Sequence, residues 1–457
     1  MSQKIKTIFL TIFEGVEAKN LLRTSVLPTL LADPSVRIVL FTKSLEKVEY
    51  YRKEFPNPRL IYEVVSRQPI SGWDAIFAKL KFTLLRTATT DLKRRLNYQC
   101  EKPFFRYFGG LFANRLLAWP IVRKIVRGLD FILVHQNFYA PIFEKYQPDL
   151  VFLAHLFDEP EIDLLREAKK QNIKTVGLIN SWDKTTARCI LRLLPDKAIV
   201  FNEIVKQEMI KHNEMAITDI FVSGLSQYDI YWNAKPSSRE DFFNAIGISS
   251  DKKLIVYAPM GRAFGGHDFE MIDLLRGLLA EGKFGSDVEL FIRFQPNDFF
   301  EESEIAKRPD LKFDYPGKRF SSARGVDWDM DEKNISHLVD TLAHASLFIS
   351  YASSIVIDAA IFDKPVINIG FEINENLRLE NKPIQYYQTD HYRNVLKTGG
   401  VQLVKNVDEL VNWVKKYLAD NTFDKVARER LVKEQCQFTD GKSGERIGRF
   451  LLDFLCF

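Results

Sequence analysis

Short apolar, β-branched runs alternate with amphipathic segments along most of the 457-residue chain. Several runs are apolar throughout instead of alternating apolar and polar residues, which is typical of strands buried on both faces. Such strands form parallel sheets with helices on each side, so the pattern predicts an α/β fold. The runs are KTIFLTIF, VRIVLFTK, LIYEVV, DLVFLAH, KTVGLIN, KAIVFN and IFVSG in the first half, and KLIVYAP, VELFIRF, LKFDYP, LFISYA, PVINIGF and VQLVKN in the second.

The pattern is interrupted between residues 231 and 253, where Pro236 and several serines stand. Ser237 and Glu240 have the spacing of a capping box, and Gly247 marks the end of a short helix. We therefore expect two doubly wound α/β domains, residues 1–235 and 250–435, facing each other across a cleft. Ligands of such domains bind at the carboxyl ends of the strands.

The last segment, residues 440–457, carries apolar side chains at helical spacing. They are Ile447, Phe450, Leu451, Phe454 and Leu455. A helix that buries this stripe either crosses back to the first domain or packs on the second.

Charge, cysteine content and hydropathy exclude several classes of protein. The 64 basic and 60 acidic residues give a formal net charge of +4, which argues against a polycation that binds nucleic acid. The four cysteines are far apart, so neither a zinc site nor a disulfide framework is expected. No apolar run reaches the ~18–20 residues needed to cross a bilayer, and the N-terminal run lacks a signal-peptide cleavage site. We expect a soluble or peripheral cytoplasmic protein.

Two adjacent serines, Ser353 and Ser354, stand between the run LFISYA and the segment SIVIDAAIF. At a strand-to-helix turn, serine hydroxyls and the free N–H groups of the first helical turn bind phosphate without a lysine. The alternative is that Ser354 only caps the helix. Asp358 follows one turn later, where it either steadies the turn or bonds a ligand hydroxyl. The chain has neither a Walker lysine nor a G-x-G-x-x-G motif, which excludes P-loop and dinucleotide-binding sites.

Other candidate phosphate ligands follow neighbouring strands of the second domain. Arg293 ends the run VELFIRF. The glycine-rich segment PMGRAFGGHD follows the first strand and lets the backbone approach a ligand. Its candidate donor-binding residues are Gly261, Arg262 and His267. Alternatively, the segment is an ordinary flexible loop.

The segment YASSIVIDAAIFDKPVINI resembles the nucleotide-binding half of GT-B glycosyltransferases, especially the group related to CDP-glycerol glycerophosphotransferases. FIRFQPND resembles an Arg-x-His-Pro element of that group, with Gln295 in place of the histidine. SWDKTTARCILRLLPDKAIVFNE and VSGLSQYD resemble the end of the first domain in surface-polysaccharide enzymes, with Lys184 where asparagine is usual. CQFTDGKSGERI resembles the start of their C-terminal helix.

The resemblance implies a GT-B fold of two Rossmann-like domains, a nucleotide-sugar donor whose phosphate meets the serine pair, and catalysis without a metal or other cofactor. Asp329 and Asp331 in DWDMDE are accordingly interpreted as a cap and an acidic turn, not as a metal-binding D-x-D motif. The general base is expected at a strand end of the first domain, where Glu14, His155 and Asp183 stand. Each of the three is alternatively a helix cap.

Residues 93–127 interleave basic and large apolar side chains, with Glu101 as the only acid. This composition is typical of a segment that lies on an anionic lipid leaflet, and it would suit an enzyme that extends a lipid-linked saccharide. The alternative is a pair of core helices whose arginine stems cover apolar surface. The residues expected at the membrane or acceptor are Arg94, Arg95, Arg106, Trp119, Arg123 and Lys124.

These observations lead to a glycosyltransferase that moves a sugar from a nucleotide-activated donor to a cell-surface polysaccharide or lipid-linked acceptor, at the inner face of the cell membrane. The alternatives are a CDP-glycerol-type polyol-phosphate transferase, an isomerase resembling UDP-N-acetylglucosamine 2-epimerase, and a binding protein without activity. Gln295 argues against the first alternative, because a neutral amide cannot replace a charged histidine. The interfacial segment argues against the second, whose substrate is soluble.

Overall fold

Two units, each with its own parallel sheet, make up the chain. The computed structural model describes residues 5–66, 69–261, 268–296, 298, 302–320, 328–373 and 382–456. Unit 1 consists of residues 1–94, 103–230 and 436–457, and unit 2 of residues 95–102 and 231–435. Two α/β units with parallel sheets confirm the predicted fold class.

The sheet of unit 1 has seven parallel strands in the order β3-β2-β1-β4-β5-β6-β7. Every run predicted in the first half of the chain forms one of them. They are β1 (Lys6–Thr11), β2 (Val36–Thr42), β3 (Leu60–Val64), β4 (Leu150–Leu153), β5 (Lys174–Leu178), β6 (Lys197–Val200) and β7 (Ile220–Val222). All residues of β4 are buried because helices cover both faces of the sheet.

Twelve helices accompany this sheet in the described part of the sequence up to residue 232. They are α1 (Gly15–Glu17), α2 (Val26–Ala32), α3 (Leu45–Glu54), α4 (Gly72–Thr83), α5 (Ala88–Glu101), α6 (Phe104–Leu117), α7 (Pro120–Leu133), α8 (Ala140–Tyr146), α9 (Glu159–Lys170), α10 (Lys184–Ala187), α11 (Glu203–Asn213) and α12 (Ser226–Trp232). A π-helical turn at Ala18–Leu22 continues α1. The connection from β3 to β4 is unusually long, since it contains five of the helices, α4 to α8.

The sheet of unit 2 has six parallel strands in the order β10-β9-β8-β13-β14-β15. Its strands are β8 (Lys253–Ala258), β9 (Val288–Arg293), β10 (Phe313–Asp314), β13 (Leu347–Ser350), β14 (Val366–Ile369) and β15 (Gln402–Val404). A separate antiparallel pair, β11 (Lys318–Arg319) and β12 (Trp328–Asp329), was not expected from the apolar runs because it has none.

The helices of unit 2 alternate with its strands. They are α13 (Arg239–Ala245), α14 (Asp268–Ala280), α15 (Glu302–Ala306), α16 (Glu332–His344), α17 (Ile355–Ile361), α18 (Asp390–Thr398), α19 (Val407–Ala419) and α20 (Lys425–Cys436). The cap of α13 is Ser238, which accepts a hydrogen bond from Asp241 N–H (3.1 Å). The predicted cap, Ser237, instead donates its backbone N–H to Asp340 (2.8 Å). Among the described residues, no helix combines the length and apolarity that crossing a membrane requires.

The final helix, α21 (Ser443–Cys456), belongs to unit 1. The carboxylate of Asp229 accepts hydrogen bonds from the backbone N–H groups of Ser443 (2.9 Å) and Gly444 (2.6 Å). These are donors of the first helical turn, which have no partner within a helix. Asp229 therefore fixes the beginning of α21 on the body of unit 1.

The packing of α21 against α2 is close because glycine stands at the contact. A Cβ atom on Gly448 would lie 2.6 Å from the Cβ of Thr29 on α2. Ile447 and Leu451 of α21 are fully buried in the core of unit 1, and the ring of Phe450 stacks on Phe221 with 4.3 Å between the ring centroids. The end of the chain is therefore part of the first core.

We expect Gly448→Ala to lower the free energy of unfolding of unit 1 by about 1–3 kcal/mol, because the added methyl group overlaps Thr29. The matched control is Gly128→Ala in α7, where no atom lies within 4 Å of the added Cβ. The control should be neutral or stabilising by up to about 1 kcal/mol. Urea denaturation measures both, and equal effects of the two substitutions would contradict the close packing of α21 on α2.

Candidate functional site

The order of the strands reverses once in each sheet. In unit 1 the chain builds from β1 outward to β3 and then returns to β4 on the other side of β1. In unit 2 it builds from β8 to β10 and returns to β13 on the other side of β8. Loops that leave two adjacent strands in opposite directions open a crevice at the carboxyl ends of those strands, where ligands of doubly wound sheets bind. The polar residues after β1, β4, β8 and β13 are therefore the candidate site residues.

Glu14 follows β1 as the N-cap residue of α1 and is partly exposed. The buried carboxylate of Glu17 accepts hydrogen bonds from the backbone N–H groups of Phe13 (2.6 Å) and Glu14 (3.1 Å), which fixes the turn that carries Glu14. Burial, followed by repulsion from Glu14, raises the pKa of Glu17 to about 8. Glu17 therefore holds or releases a proton near neutral pH, one helical turn from Glu14.

His155 follows β4 and is 1% exposed. Burial, and then the positive charge of Lys184, lowers the pKa of its imidazole to about 3, so the ring is neutral at pH 7. The backbone N–H of Phe157 donates to Nδ1 (3.3 Å), which places the ring proton on Nε2. Nε2 has no hydrogen-bond partner among the residues that the structure describes.

Asp158 joins this group to a cation. Its Oδ1 accepts a hydrogen bond from Arg188 (2.5 Å). Burial disfavours the charged carboxylate, but the His155 ring, which is protonated only at acidic pH, and the cations Arg188 and Lys184 outweigh it and lower the pKa of Asp158 to about 2. Asp158 is therefore a fixed negative charge, not a group that exchanges protons at neutral pH.

Three more polar side chains are buried at the same edge of unit 1. Glu161 in the first turn of α9 has an unpaired Oε1, and both amide atoms of Asn20 and of Asn180 are unpaired within the described part of the chain. Burial, and then the nearby Glu17, raises the pKa of Glu161. Unsatisfied buried polar atoms cost about 1–3 kcal/mol each. This edge thus retains donors and acceptors that a polar ligand would satisfy.

Asp183 lies beyond β5, one strand farther from the reversal. It accepts a hydrogen bond from the hydroxyl of Ser181 (2.5 Å) and precedes α10 without capping it through its side chain. Arg188 interacts electrostatically with both Glu14 and His155, while Asp183 and Arg188 both act on Lys93. The fold thus gathers the three base candidates in one charged neighbourhood.

The serine pair of unit 2 follows β13, at the reversal of that sheet. Ser354 is the N-cap residue of α17 and is exposed, yet its side chain makes no capping hydrogen bond. Ser353, partly exposed, accepts a long hydrogen bond from Ile355 N–H (3.4 Å). Asp358 lies partly exposed in α17, one turn after the pair. The hydroxyl of Ser354 is therefore not consumed by the helix it precedes.

The first residues of the loop after β8 are fixed by hydrogen bonds to their backbone. The carboxylate of Asp268, which is partly exposed, accepts hydrogen bonds from the N–H groups of Met260 (3.0 Å) and Gly261 (2.8 Å). Gly261 has a φ of +88°, a conformation that side-chain-bearing residues rarely adopt. Gly261 thus starts the loop at the reversal point.

Gln295, which the sequence resemblance sets in place of a histidine, follows β9. Its side-chain amide donates to the carbonyl oxygens of Pro259 (3.2 Å) and Met260 (2.6 Å), so it links the end of β9 to the loop after β8. Two other predicted donor ligands, Arg262 and His267, lie outside the described residues.

Arg293 is not available to a phosphate in this structure, contrary to the expectation from its strand-end position. Its side chain is 6% exposed and forms an ion pair with Asp314 of β10. It also lies 3.2 Å from Nδ1 of His337 on α16, and that nitrogen lies 2.9 Å from Asp314. Arg293 therefore ties β9, β10 and α16 together.

The basic residues of segment 93–127 do not share one surface. Arg123 was expected at the membrane, but it is buried and paired with Glu214, whose charge would otherwise be buried alone. Arg94 is partly buried against Asp91 (3.1 Å). Arg95 belongs to unit 2, where it donates to Gln388 (2.8 Å). The expected residues that are exposed on unit 1 are Arg106, Trp119 and Lys124.

Sequence reasoning missed Glu17, Glu161 and Arg188. A partial signal existed, since Glu17 follows Glu14 at the spacing of a capping box and Glu161 follows Asp158 at the same spacing. That spacing could predict a cap but not the burial that changes the pKa. Within the described residues, no group of three or more His, Cys, Asp or Glu side chains could hold a metal ion.

Replacing Glu17 by glutamine should remove part of the pH dependence of stability. Because the pKa of Glu17 is about 8 in the folded protein and 4.5 ordinarily, the folded chain binds more protons than the unfolded chain between these values. The free energy of unfolding of the wild type should therefore fall as the pH rises through this range. Glu17→Gln should reduce that fall by on the order of 2–4 kcal/mol, measured by urea denaturation at a series of pH values.

Glu63→Gln is the control for this measurement. The pKa of Glu63 is lowered, because hydrogen bonds from Lys145 and Tyr146 outweigh the effect of burial, so its contribution lies at more acidic pH. Two results would show that Glu17 is charged over the whole range from pH 4.5 to 8. One is a free energy of unfolding of the wild type that does not fall as the pH rises. The other is a fall in Glu17→Gln as steep as that in the wild type.

A model of a known protein family matches this chain. The model of the CDP-glycerol:poly(glycerophosphate) glycerophosphotransferases matches residues 174–453, which is more than half of the chain. A curated relative, the UDP-N,N'-diacetylbacillosamine 2-epimerase (hydrolyzing) of Legionella pneumophila, is 26% identical over 255 residues. That alignment spans 53% of this chain and 62% of the relative, so less than two thirds of the relative is covered.

Solved structures resemble the fold over nearly the whole chain at low sequence identity. A UDP-GlcNAc 2-epimerase from Neisseria meningitidis, bound to UDP-GlcNAc, superposes with a TM-score of 0.54 and 11% identity, covering 99% of this chain and 100% of that one. A glycosyltransferase from Rickettsia africae gives 0.51 and 13%, covering 98% and 99%. The wall teichoic acid polymerase TagF gives 0.51 and 12%, covering 99% and 88%.

These likenesses confirm the expected GT-B type of fold, with two Rossmann-like units. The family match extends from β5 of unit 1 through unit 2 and into α21, and so includes the strands that carry the serine pair and Gly261. The chain belongs to the CDP-glycerol:poly(glycerophosphate) glycerophosphotransferase family.

Proposed function

We propose that the protein is a glycosyltransferase, which moves a sugar from a nucleotide-activated donor to a cell-surface polysaccharide or lipid-linked acceptor. Unit 2 binds the donor and unit 1 binds the acceptor. The observation that carries the proposal is the serine pair at the reversal of the second sheet, where the hydroxyl of Ser354 is exposed and makes no capping bond to α17. Two hydroxyls at this place are suited to the oxygens of a diphosphate.

The loop after β8 supports the same role for unit 2. Asp268 accepts hydrogen bonds from the N–H groups of Met260 and Gly261, and the Gln295 amide donates to the carbonyl oxygens of Pro259 and Met260, so residues 259–261 are held at the reversal point. The leaving nucleotide diphosphate gains negative charge as the bond to the sugar breaks. Hydroxyl groups placed in advance stabilise that charge.

In unit 1, Glu14 is the group best suited to act as the general base. It is partly exposed, whereas His155 is buried and neutral and Asp158 is already paired with Arg188. Glu14 would accept the proton of the acceptor hydroxyl while the hydroxyl oxygen attacks the sugar carbon. The unpaired atoms of Asn20, Asn180 and Glu161 suit an acceptor that is rich in hydroxyl groups.

Polyol-phosphate transfer is the second candidate, favoured by the family match and by the likeness to TagF, whose structure was determined with CDPG. Gln295 argues against it, because its amide is engaged with two carbonyl oxygens and carries no charge. A 2-epimerase activity is the third candidate, favoured by the Legionella relative and the Neisseria structure.

Donor turnover separates these candidates. With UDP-, GDP-, CDP-, CMP- and dTDP-sugars and CDP-glycerol offered in turn, we expect rapid release of nucleotide from one nucleotide sugar only when a polysaccharide or lipid-linked acceptor is present, and without loss on adding EDTA. Turnover of CDP-glycerol but of none of the nucleotide sugars would show that the reaction is polyol-phosphate transfer and not glycosyl transfer. Conversion of a UDP-sugar without any acceptor would establish an isomerase, and the absence of both nucleotide binding and turnover with every donor would indicate a protein without catalytic activity.

The serine pair can be tested by binding alone. Ser353→Ala combined with Ser354→Ala should weaken nucleotide binding by about 1–3 kcal/mol in calorimetry, because hydrogen bonds to a charged phosphate are lost. Ser303→Ala, at an exposed serine of α15, is the matched control and should bind as the wild type does. Unchanged affinity of the double variant would remove the phosphate role.

We also propose that the protein works as a peripheral protein at the inner face of the cell membrane. The lipid anchor of a lipid-linked acceptor holds that acceptor at a membrane. The exposed side chains of Arg106, Trp119 and Lys124 support this location.

A further inference from the structure

All four residues of β14 are buried, yet one of them is polar. Asn368 interrupts the apolar run VINI, and its side chain is 0% exposed. In the sheet of unit 2 it lies opposite Ser350, the last residue of β13. A buried amide costs free energy unless its donors and its acceptor are paired. The partners of Asn368 therefore indicate why a polar residue stands in this strand.

The amide of Asn368 is paired with the end of the neighbouring strand. Its nitrogen donates to the carbonyl oxygen (3.3 Å) and the hydroxyl oxygen (3.2 Å) of Ser350 and to the carbonyl oxygen of Tyr351 (3.3 Å). A carbonyl oxygen only accepts hydrogen bonds, which fixes the orientation of the amide. Asn368 therefore holds the point at which the chain leaves β13 and enters the turn of residues 351–354 (the serine turn), which carries Ser353 and Ser354.

A tyrosine holds the oxygen of the same amide. The hydroxyl of Tyr392, in the first turn of α18, donates to Oδ1 of Asn368 (2.7 Å), and Tyr392 is 1% exposed. The hydroxyl oxygen is also a hydrogen-bond acceptor for the backbone N–H of Ser353. Burial raises the pKa of Tyr392, so the hydroxyl keeps its proton and donates at neutral pH. Tyr392 thus holds the serine turn both directly and through Asn368.

A second buried tyrosine lies beside Tyr392 but has a different partner. The ring centroids of Tyr387 and Tyr392 are 5.3 Å apart, and Tyr387 is 7% exposed. The hydroxyl of Tyr387 donates to the carbonyl oxygen of Ile369 (2.9 Å), at the end of β14. Within the described residues it makes no hydrogen bond to Asn368 or to the serine turn. Two neighbouring tyrosines therefore differ in whether their hydroxyl groups hold the serine pair.

We propose that Tyr392 and Asn368 are positioning residues for the diphosphate of the donor. They hold the backbone of the serine turn, so that the two serine hydroxyls stand where the diphosphate oxygens arrive. The inference rests on the proposed function, which gives donor binding to unit 2. Tyr392 and Asn368 are buried and act through the serines. Groups that are fixed before the ligand arrives bind it more tightly, because less conformational entropy is lost on binding.

Nucleotide affinity tests the proposal through the removal of a single oxygen atom. Calorimetry of the full chain with UDP, GDP, CDP and dTDP identifies the nucleotide that the wild type binds. Tyr392→Phe should weaken the binding of that nucleotide about threefold to tenfold, because the serine turn loses its hydrogen bonds to the hydroxyl. Tyr387→Phe is the matched control and should bind the nucleotide as the wild type does. Both substitutions remove one buried hydroxyl, so a general loss of stability would affect the two variants alike.

A double-mutant cycle shows whether Tyr392 acts through the serine pair. In a chain that already carries Ser353→Ala and Ser354→Ala, Tyr392→Phe should change nucleotide affinity by less than about twofold, because the groups that it positions are gone. The same loss of affinity in both backgrounds would overturn the positioning role. Unchanged affinity of Tyr392→Phe in the wild-type background, or equal losses in Tyr392→Phe and Tyr387→Phe, would overturn it as well.

Amide hydrogen exchange of the free protein tests the same contacts without a donor. Tyr392→Phe should speed exchange in the serine turn by about threefold or more, because the turn opens more often, whereas Tyr387→Phe should leave that exchange unchanged. Equal exchange in the wild type and Tyr392→Phe would overturn the proposal. Exchange needs no nucleotide, and the serine double variant tests donor binding with Tyr392 in place. Failure of this inference is therefore distinct from failure of the proposed function.

Discussion

Burial of a parallel sheet on both faces is the constraint on which the rest of the structure depends. The helices that connect parallel strands cross with one handedness, so a chain that starts at a central strand covers one face while it builds outward and the other face after it returns. The return occurs beside β1 in unit 1 and beside β8 in unit 2. At those two places the loops diverge and leave the carboxyl ends of the strands accessible. Glu14 and His155 follow the strands at the first reversal, and Gly261 and the serine pair follow the strands at the second.

Polar groups buried beside the strand reversal of unit 1 lower the stability of the fold. Glu17 and Glu161 are buried carboxyl groups with raised pKa values, and Asn20 and Asn180 keep amide atoms without partners among the described residues. Local unfavourable energy of this kind is tolerated where a site needs prepared polar groups, and it is offset by the packing of the remaining fold. The closely packed α21, which fills the face beside α2, contributes to that offset in unit 1.

The long connection between β3 and β4 differs from the rest of unit 1 in which side chains it buries. Its helices attach to the body through buried ion pairs centred on Arg192 and Asp130 and turn apolar residues outward. The connection leaves β1 and β4 adjacent in the sheet and adds a surface to unit 1. It also contacts the residues after β4, since Lys81 of α4 donates a hydrogen bond to the carbonyl oxygen of Phe157 (2.7 Å).

The sequence by itself determined the strands, the two-unit α/β architecture and the position of the serine pair, because continuous apolar runs and strand-to-helix turns are local properties of the chain. Every predicted run forms a strand, and among the residues that the structure describes only the short pair β11 and β12, which has no apolar run, was missed. The tertiary structure alone decided the partner of each charged residue. Arg293 looked like a phosphate ligand and Arg123 like a lipid ligand until folding brought Asp314 and Glu214 beside them. These two ion pairs join residues that are distant in the sequence, and a shifted pKa depends on burial. Both arise only when the chain folds and its elements pack together.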